Sequence, residues 1–184
     1  RHSSSAASDV YKRQGRVLAT PFRGGDTLLA VDFSPDGRTL AFGGVDGKLR
    51  LFQTENWTEV LAVDAHSDWL TALSWNRGGS QVATASRDKT AKVYDVTTGK
   101  RVSTFSGHPE AVRGIAFHSN GKEVLSTGDH GHLLVWDSEN GKKVADRAKF
   151  GGPVLRLVEG PREFFATTPG GVVAVSYTHL TLPT

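Results

Sequence analysis

The stretch DWLTALSW, Asp68 to Trp75, is apolar at nearly every position, the pattern of a strand covered on both faces. NRGGS follows, with Gly78-Gly79 able to reach positive φ in a tight turn. QVATAS (Gln81–Ser86) then reads as a second strand, built from small and β-branched residues that let neighbouring sheets approach. The turn Arg87-Asp88-Lys89 leads into a third strand, TAKVYD (Thr90–Asp95). A further turn at Thr98-Gly99 leads into a fourth, RVSTFS (Arg101–Ser106). Four strands joined by such short turns predict an antiparallel meander, and no helical periodicity is visible along the chain.

The same pattern recurs every 42 residues. Asp46, Asp88 and His130 occupy one position of the period, and Phe52, Tyr94 and Trp136 another. The turn glycines Gly37, Gly79 and Gly121 keep the spacing, as do Phe33, Trp75 and Phe117 before them. Leu28, Leu70, Val112 and Val154 carry the register into a fourth unit. One four-stranded sheet cannot bury its own faces, whereas sheets stacked around an axis can, so a period of this length predicts the blades of a β-propeller. The expected units are about 23–64, 65–106 and 107–148, with a partial one at 149–176. Gly15–Gly24 aligns with the fourth-strand segment 84 residues on, so 15–22 is expected to be the last strand of a preceding blade.

Composition changes this picture little. Hydrophobic residues at 38% and charged residues at 22% fit an ordinary globular chain, and no apolar run is long enough for a membrane-spanning helix. The absence of cysteine excludes disulfides and thiolate metal sites within this stretch. Residues 1–14 and 177–184 fit no repeat position and read as non-native or disordered flanks. Without Arg1, Lys12, Arg13 and Asp9 the formal charge falls from +3 to +1, which gives nucleic-acid binding little support. The chain contains no methionine and begins at Arg1, so it is expected to be an internal piece of a larger ring.

Over Gly15–Ser176 these features resemble the WD-repeat (WD40) family. The third unit carries the likeness best, with SGH at Ser106–His108, then AFHSNGKEVLSTG, then LLVWD ending in Trp136-Asp137. The resemblance implies an all-β propeller segment whose blades are each fastened by a hydrogen-bonded chain of His, Ser or Thr, Asp and Trp. By spacing these are His66, Thr84, Asp88 and Tyr94 in the second unit. The third has His108, Ser126 and Trp136, with His130 in place of the carboxylate. The first unit has Gly24, Phe42, Asp46 and Phe52, so it cannot form this network. The resemblance further implies that rim residues Trp69, Thr71, Arg87, Arg113 and Asp129 are the candidates for touching a partner.

Catalytic and metal readings compete with this one. His66 and Asp88 could form an acid–base pair with Thr84 as nucleophile, but the same spacing explains them as fasteners buried away from substrate. Asp129, His130 and His132, with His108 and His118, suggest a metal, yet no carboxylate–histidine spacing repeats. Trp57 stands at a turn where the other units have Gly, and reads as a cover for a neighbouring strand or a contact residue. The expectation is therefore a non-catalytic scaffold, without cofactor, binding other proteins or other domains of its own chain. The chain is also similar to large bacterial proteins in which WD-repeats accompany an enzymatic or c-type cytochrome module, so an accessory propeller is the alternative.

Overall fold

The structure, a computed structural model, describes Thr20, Phe22, residues 25–160 and residues 163–176. The expectations placed on the terminal flanks, on Gly24 and on most of 15–22 fall outside these residues. Four antiparallel sheets follow one another along the chain. Sheet 1 holds β1 (Leu28–Phe33), β2 (Thr39–Gly44), β3 (Lys48–Gln53) and β4 (Glu59–Asp64). Sheet 2 holds β5 (Leu70–Trp75), β6 (Gln81–Ser86), β7 (Ala91–Asp95) and β8 (Arg101–Phe105). Sheet 3 holds β9 (Val112–Phe117), β10 (Glu123–Gly128), β11 (His132–Asp137) and β12 (Lys143–Lys149). Sheet 4 has three described strands, β13 (Arg156–Glu159), β14 (Glu163–Thr168) and β15 (Gly171–Ser176). Each is a plain meander, with strands paired in chain order. The all-β propeller architecture is thus the one the repeat predicts. Among the described residues no helix is long and apolar enough to cross a membrane.

Local chemistry sets the turns. Gly37, Gly79 and Gly121 take φ of 71°, 69° and 69°, the left-handed conformation that the β1–β2, β5–β6 and β9–β10 turns require. At another turn Gly47 and Gly131 are left-handed at 70° and 71°, and the equivalent Lys89 adopts the same φ of 70° without being glycine. Trp57 behaves likewise, at φ 58° where Gly99 and Gly141 have 67° and 70°. Its equivalence to those glycines is a backbone fact, and its side chain is half-buried.

Packing between sheets supplies the core. Ala41, Leu49 and Leu51 of sheet 1 meet Leu70, Trp75, Val82 and Tyr94 of sheet 2. Ala83, Ala85, Ala91, Val93 and Phe105 of sheet 2 then meet Val112, Phe117, Val124 and Trp136 of sheet 3. A third cluster joins Leu125, Leu133 and Val135 to Val154, Leu157 and Phe164 of sheet 4. Small alanines on one side opposite aromatic rings on the other let the sheets interdigitate. Hydrogen bonds also cross the junctions: the Thr71 hydroxyl donates to the Val112 carbonyl at 2.6 Å, and the Trp75 indole to the Asp32 carbonyl at 3.3 Å. The first strands β1, β5, β9 and β13 line a cleft of about 520 Å³, the central channel side of the assembly.

Candidate functional site

Sheet 2 brings three of its four expected fasteners together. His66 lies just before β5, Thr84 within β6 and Asp88 in the β6–β7 turn. The His66 Nδ1–H donates to Asp88 Oδ2 at 2.9 Å, which leaves Nε2 to accept from the Thr84 hydroxyl at 2.9 Å. Asp88 also accepts from the Ser67 amide and from the Thr90 amide and hydroxyl. Burial pushes the Asp88 carboxyl up, but the bonds from His66 and Thr90 outweigh it and hold the group well below the ordinary carboxylate range. Burial pushes His66 down, opposed by Asp88. The fourth member departs from the chain: Tyr94 donates to the Ala65 carbonyl at 2.9 Å, alongside Lys92 Nζ at 2.6 Å.

Sheet 3 joins all four of its expected residues, but with reversed proton polarity. The His132 amide donates to His130 Nδ1 at 3.2 Å, so in the neutral ring the proton sits on His130 Nε2. That N–H donates to His108 Nδ1 at 2.5 Å, and His108 Nε2–H donates to the Ser126 Oγ at 2.6 Å. The Trp136 indole donates to the same oxygen at 3.0 Å. The His132 amide, which the repeat spacing does not reveal, sets this direction. Burial, then the neighbouring His130 and Lys143, push His108 from its ordinary 6.5 down to about 3. His130 is lowered too, first by burial and then by His132, with Glu110, Asp146 and Asp129 opposing.

Sheet 1 substitutes hydrocarbon for the network. Phe22, Phe42 and Phe52 form a cluster with ring centroids 5.2 to 6.4 Å apart. Arg50 lies 4.7 Å over the Phe22 ring and pairs with Asp46 at 2.6 Å. Spacing had shown that Phe42 and Phe52 could not make the polar chain. It gave no sign that they would close on Phe22, whose partners lie 20 and 30 residues away.

The five candidate contact residues separate into two rim pairs and one half-buried link. Trp69 is 38% exposed, with the Arg87 guanidinium 4.8 Å over its ring. Arg87 also pairs with Asp68 at 3.4 Å, and its amide is held by the Trp69 carbonyl. On the adjacent sheet Arg113 makes a two-pronged pair with Asp129, both contacts at 3.0 Å, and these bonds raise the guanidinium pKa. Thr71 commits its hydroxyl to the junction with sheet 3. Sequence reasoning missed Asp68, whose position immediately before Trp69 was the available signal.

With this geometry in view, the family can be named. The WD domain, G-beta repeat model of the WD40 family matches residues 15–53, 57–95 and 99–137, and the chain belongs to that family. Each of the latter two segments starts in the turn just before the last strand of one sheet and ends in the third strand of the next, so a sequence repeat spans two blades. No curated protein matches the chain. Among solved structures it is similar to the computationally designed Ika4 protein, at 23% identity and TM-score 0.76, covering 89% of this chain and 99% of that one. It is also similar to a chain of the Mitotic Checkpoint Complex, at 22% identity and TM-score 0.71, covering 79% and 45% of the two chains. The RRP9 WD40 repeats give 18% identity and TM-score 0.71, covering 86% and 53%. The chain thus spans about half the length of the latter two chains.

Proposed function

We propose that this WD40 segment is a non-catalytic scaffold that binds other proteins, or other domains of a longer chain, through the rim formed by Trp69, Arg87, Arg113 and Asp129. One observation carries the reading: an exposed indole with an arginine stacked on it stands one blade from a second arginine held flat by a carboxylate. Tryptophan and arginine dominate binding hot spots, and both arginines are held in place before any partner arrives. The His–hydroxyl networks support the same conclusion, because their side chains are committed to cohesion inside the blades. Similarity to a chain of the Mitotic Checkpoint Complex, itself an assembly, agrees with it. The accessory-module reading gains no support from these matches.

The test is a photo-cross-linking residue placed at position 69, with a control at the exposed Val144 of β12. Capture of a defined protein from position 69 only, lost in the double substitution Arg87→Glu, Arg113→Glu at unchanged melting temperature, is the expected result. Equal capture at both positions, or capture indifferent to the two arginines, would refute the rim as the binding surface.

A further inference from the structure

The polar chain of sheet 3 cannot take up a proton without breaking a bond. His108, His130 and His132 stack from the interior to the surface, with ring centroids 4.7 and 5.3 Å apart, and His132 meets Asp146 of β12 at 3.0 Å. Every ring nitrogen of the inner two is committed: His130 Nδ1 to the His132 amide, His130 Nε2–H to His108 Nδ1, and His108 Nε2–H to Ser126. A proton added to His130 makes Nδ1 a donor facing the His132 amide, and one added to His108 sets two N–H groups against each other. Sheet 2 differs. A proton arriving at His66 Nε2 meets the Thr84 oxygen, whose own O–H donates to the Lys92 carbonyl at 3.3 Å, while Nδ1–H keeps Asp88. Among the described residues no group of three His, Cys, Asp or Glu side chains is placed to hold a metal.

The β10–β11 turn carries this histidine pair and the rim together. Asp129, which grips Arg113 through two bonds of 3.0 Å, is the residue next to His130. Around the pair stand Glu110 before β9, Asp129 in the turn, His132 of β11, and Lys143 and Asp146 of β12, while β8 contributes the uncharged Phe105 ring. A cationic His130 that has lost the His132 amide is therefore drawn to the carboxylates of Glu110, Asp129 and Asp146. We propose that proton uptake by the His108–His130 pair releases the rim: His130 leaves the His132 amide, takes the Asp129 carboxylate to itself, and frees Arg113 from the hold that keeps it flat. Acid thereby regulates the binding surface proposed above; that regulatory meaning rests on the rim reading, whereas the release is a property of the chain alone. Burial pushes His130 below its ordinary 6.5, so the closed arrangement is whole above that pH and is given up as the pH falls beneath it. His108, almost fully buried, follows only towards about 3.

Nitrogen-15 NMR of the whole chain tests the release without any partner, so a failed switch and a failed binding surface are read separately. The probe is the side-chain N–H of Arg113, assigned by Arg113→Lys. Arg50, paired to Asp46 at 2.6 Å in a sheet without histidine, is the internal reference. Between pH 8 and pH 5 the Arg113 proton should shift from its carboxylate-bonded position to that of a free guanidinium, while Arg50 stays in place. In His130→Asn the Arg113 signal should not move. There the asparagine carbonyl accepts the His132 amide, as Asn120 accepts the Lys122 amide at 2.9 Å, and its NH₂ donates to His108 without titrating. The side chain is long enough, since Asp88 reaches His66 from the equivalent position. An Arg113 signal that holds in the wild type down to pH 5, that shifts equally in both chains, or that shifts only together with Arg50, overturns the proposal.

Discussion

Replacing His130 by aspartate isolates the polar fastener of sheet 3. In the wild type His108 is buried, contacts a second imidazole and titrates near 3, against its ordinary 6.5. Its folded pKa is depressed, so the unfolded chain takes up a proton below 6.5 that the folded chain refuses until about 3. Stability from this group is therefore intact above pH 6.5 and is lost as pH falls between those values. From pH 7 to pH 5 the loss comes to about 2 kcal/mol. An aspartate at 130 would switch His108 to the other tautomer without moving the ring, with Nδ1–H donating to the carboxylate and Nε2 accepting from Ser126, the arrangement His66 already has in sheet 2. Charge-assisted bonding should then stabilise the fold by about 0.5–2 kcal/mol at pH 7. For a chain of this size that is roughly 2–4 °C in melting midpoint per kcal/mol. Thermal melts by circular dichroism at pH 5, 6, 7 and 8, at one protein concentration, measure both effects. The variant should melt higher at pH 7 and lose less on acidification, retaining the loss due to His66, whose pKa is also lowered. An unchanged or lower midpoint at pH 7, or an undiminished loss between pH 7 and 5, would refute this reading of the network.

Two further substitutions probe the backbone and the junctions. Lys89→Gly relieves a left-handed backbone at an exposed turn position where both sister repeats have glycine, and should raise stability by about 0.5–1 kcal/mol in denaturant titration. Thr71→Val removes the bond from sheet 2 to the Val112 carbonyl and should cost about 0.5–1.5 kcal/mol by the same assay. Since that hydroxyl lies in the junction, any binding at the rim should be unaffected by its loss.

The strands were legible because their determinants are local and repeated. Gly79 and its two sisters fix turns by backbone freedom, and the unbroken apolar run through Leu70–Trp75 fixes a strand covered on both sides. The meeting of His66, Thr84 and Asp88 could also be anticipated, since equal spacing in stacked sheets places equivalent residues alike. What could not be read were features that depend on three-dimensional proximity without a repeat to signal it. The closure of Phe22 on Phe42 and Phe52 is one, and the preference of Tyr94 for the Ala65 carbonyl is another. The proton polarity of the His108–His130 pair belongs with them, because a single backbone amide decides it. The left-handed φ of Trp57 and Lys89 had its signal in the glycines that stand at the equivalent positions of the other units, not in either residue's own identity.

The aromatic fastener of the first sheet gives this arc an uneven response to cold. Phe22, Phe42 and Phe52 cohere by excluding water from hydrocarbon, a driving force that weakens on chilling. The imidazole–hydroxyl links of the middle sheets do not share that dependence. Chilling should therefore weaken the fastener inside the first sheet more than the polar links inside the middle sheets, while the apolar junctions between the sheets weaken together.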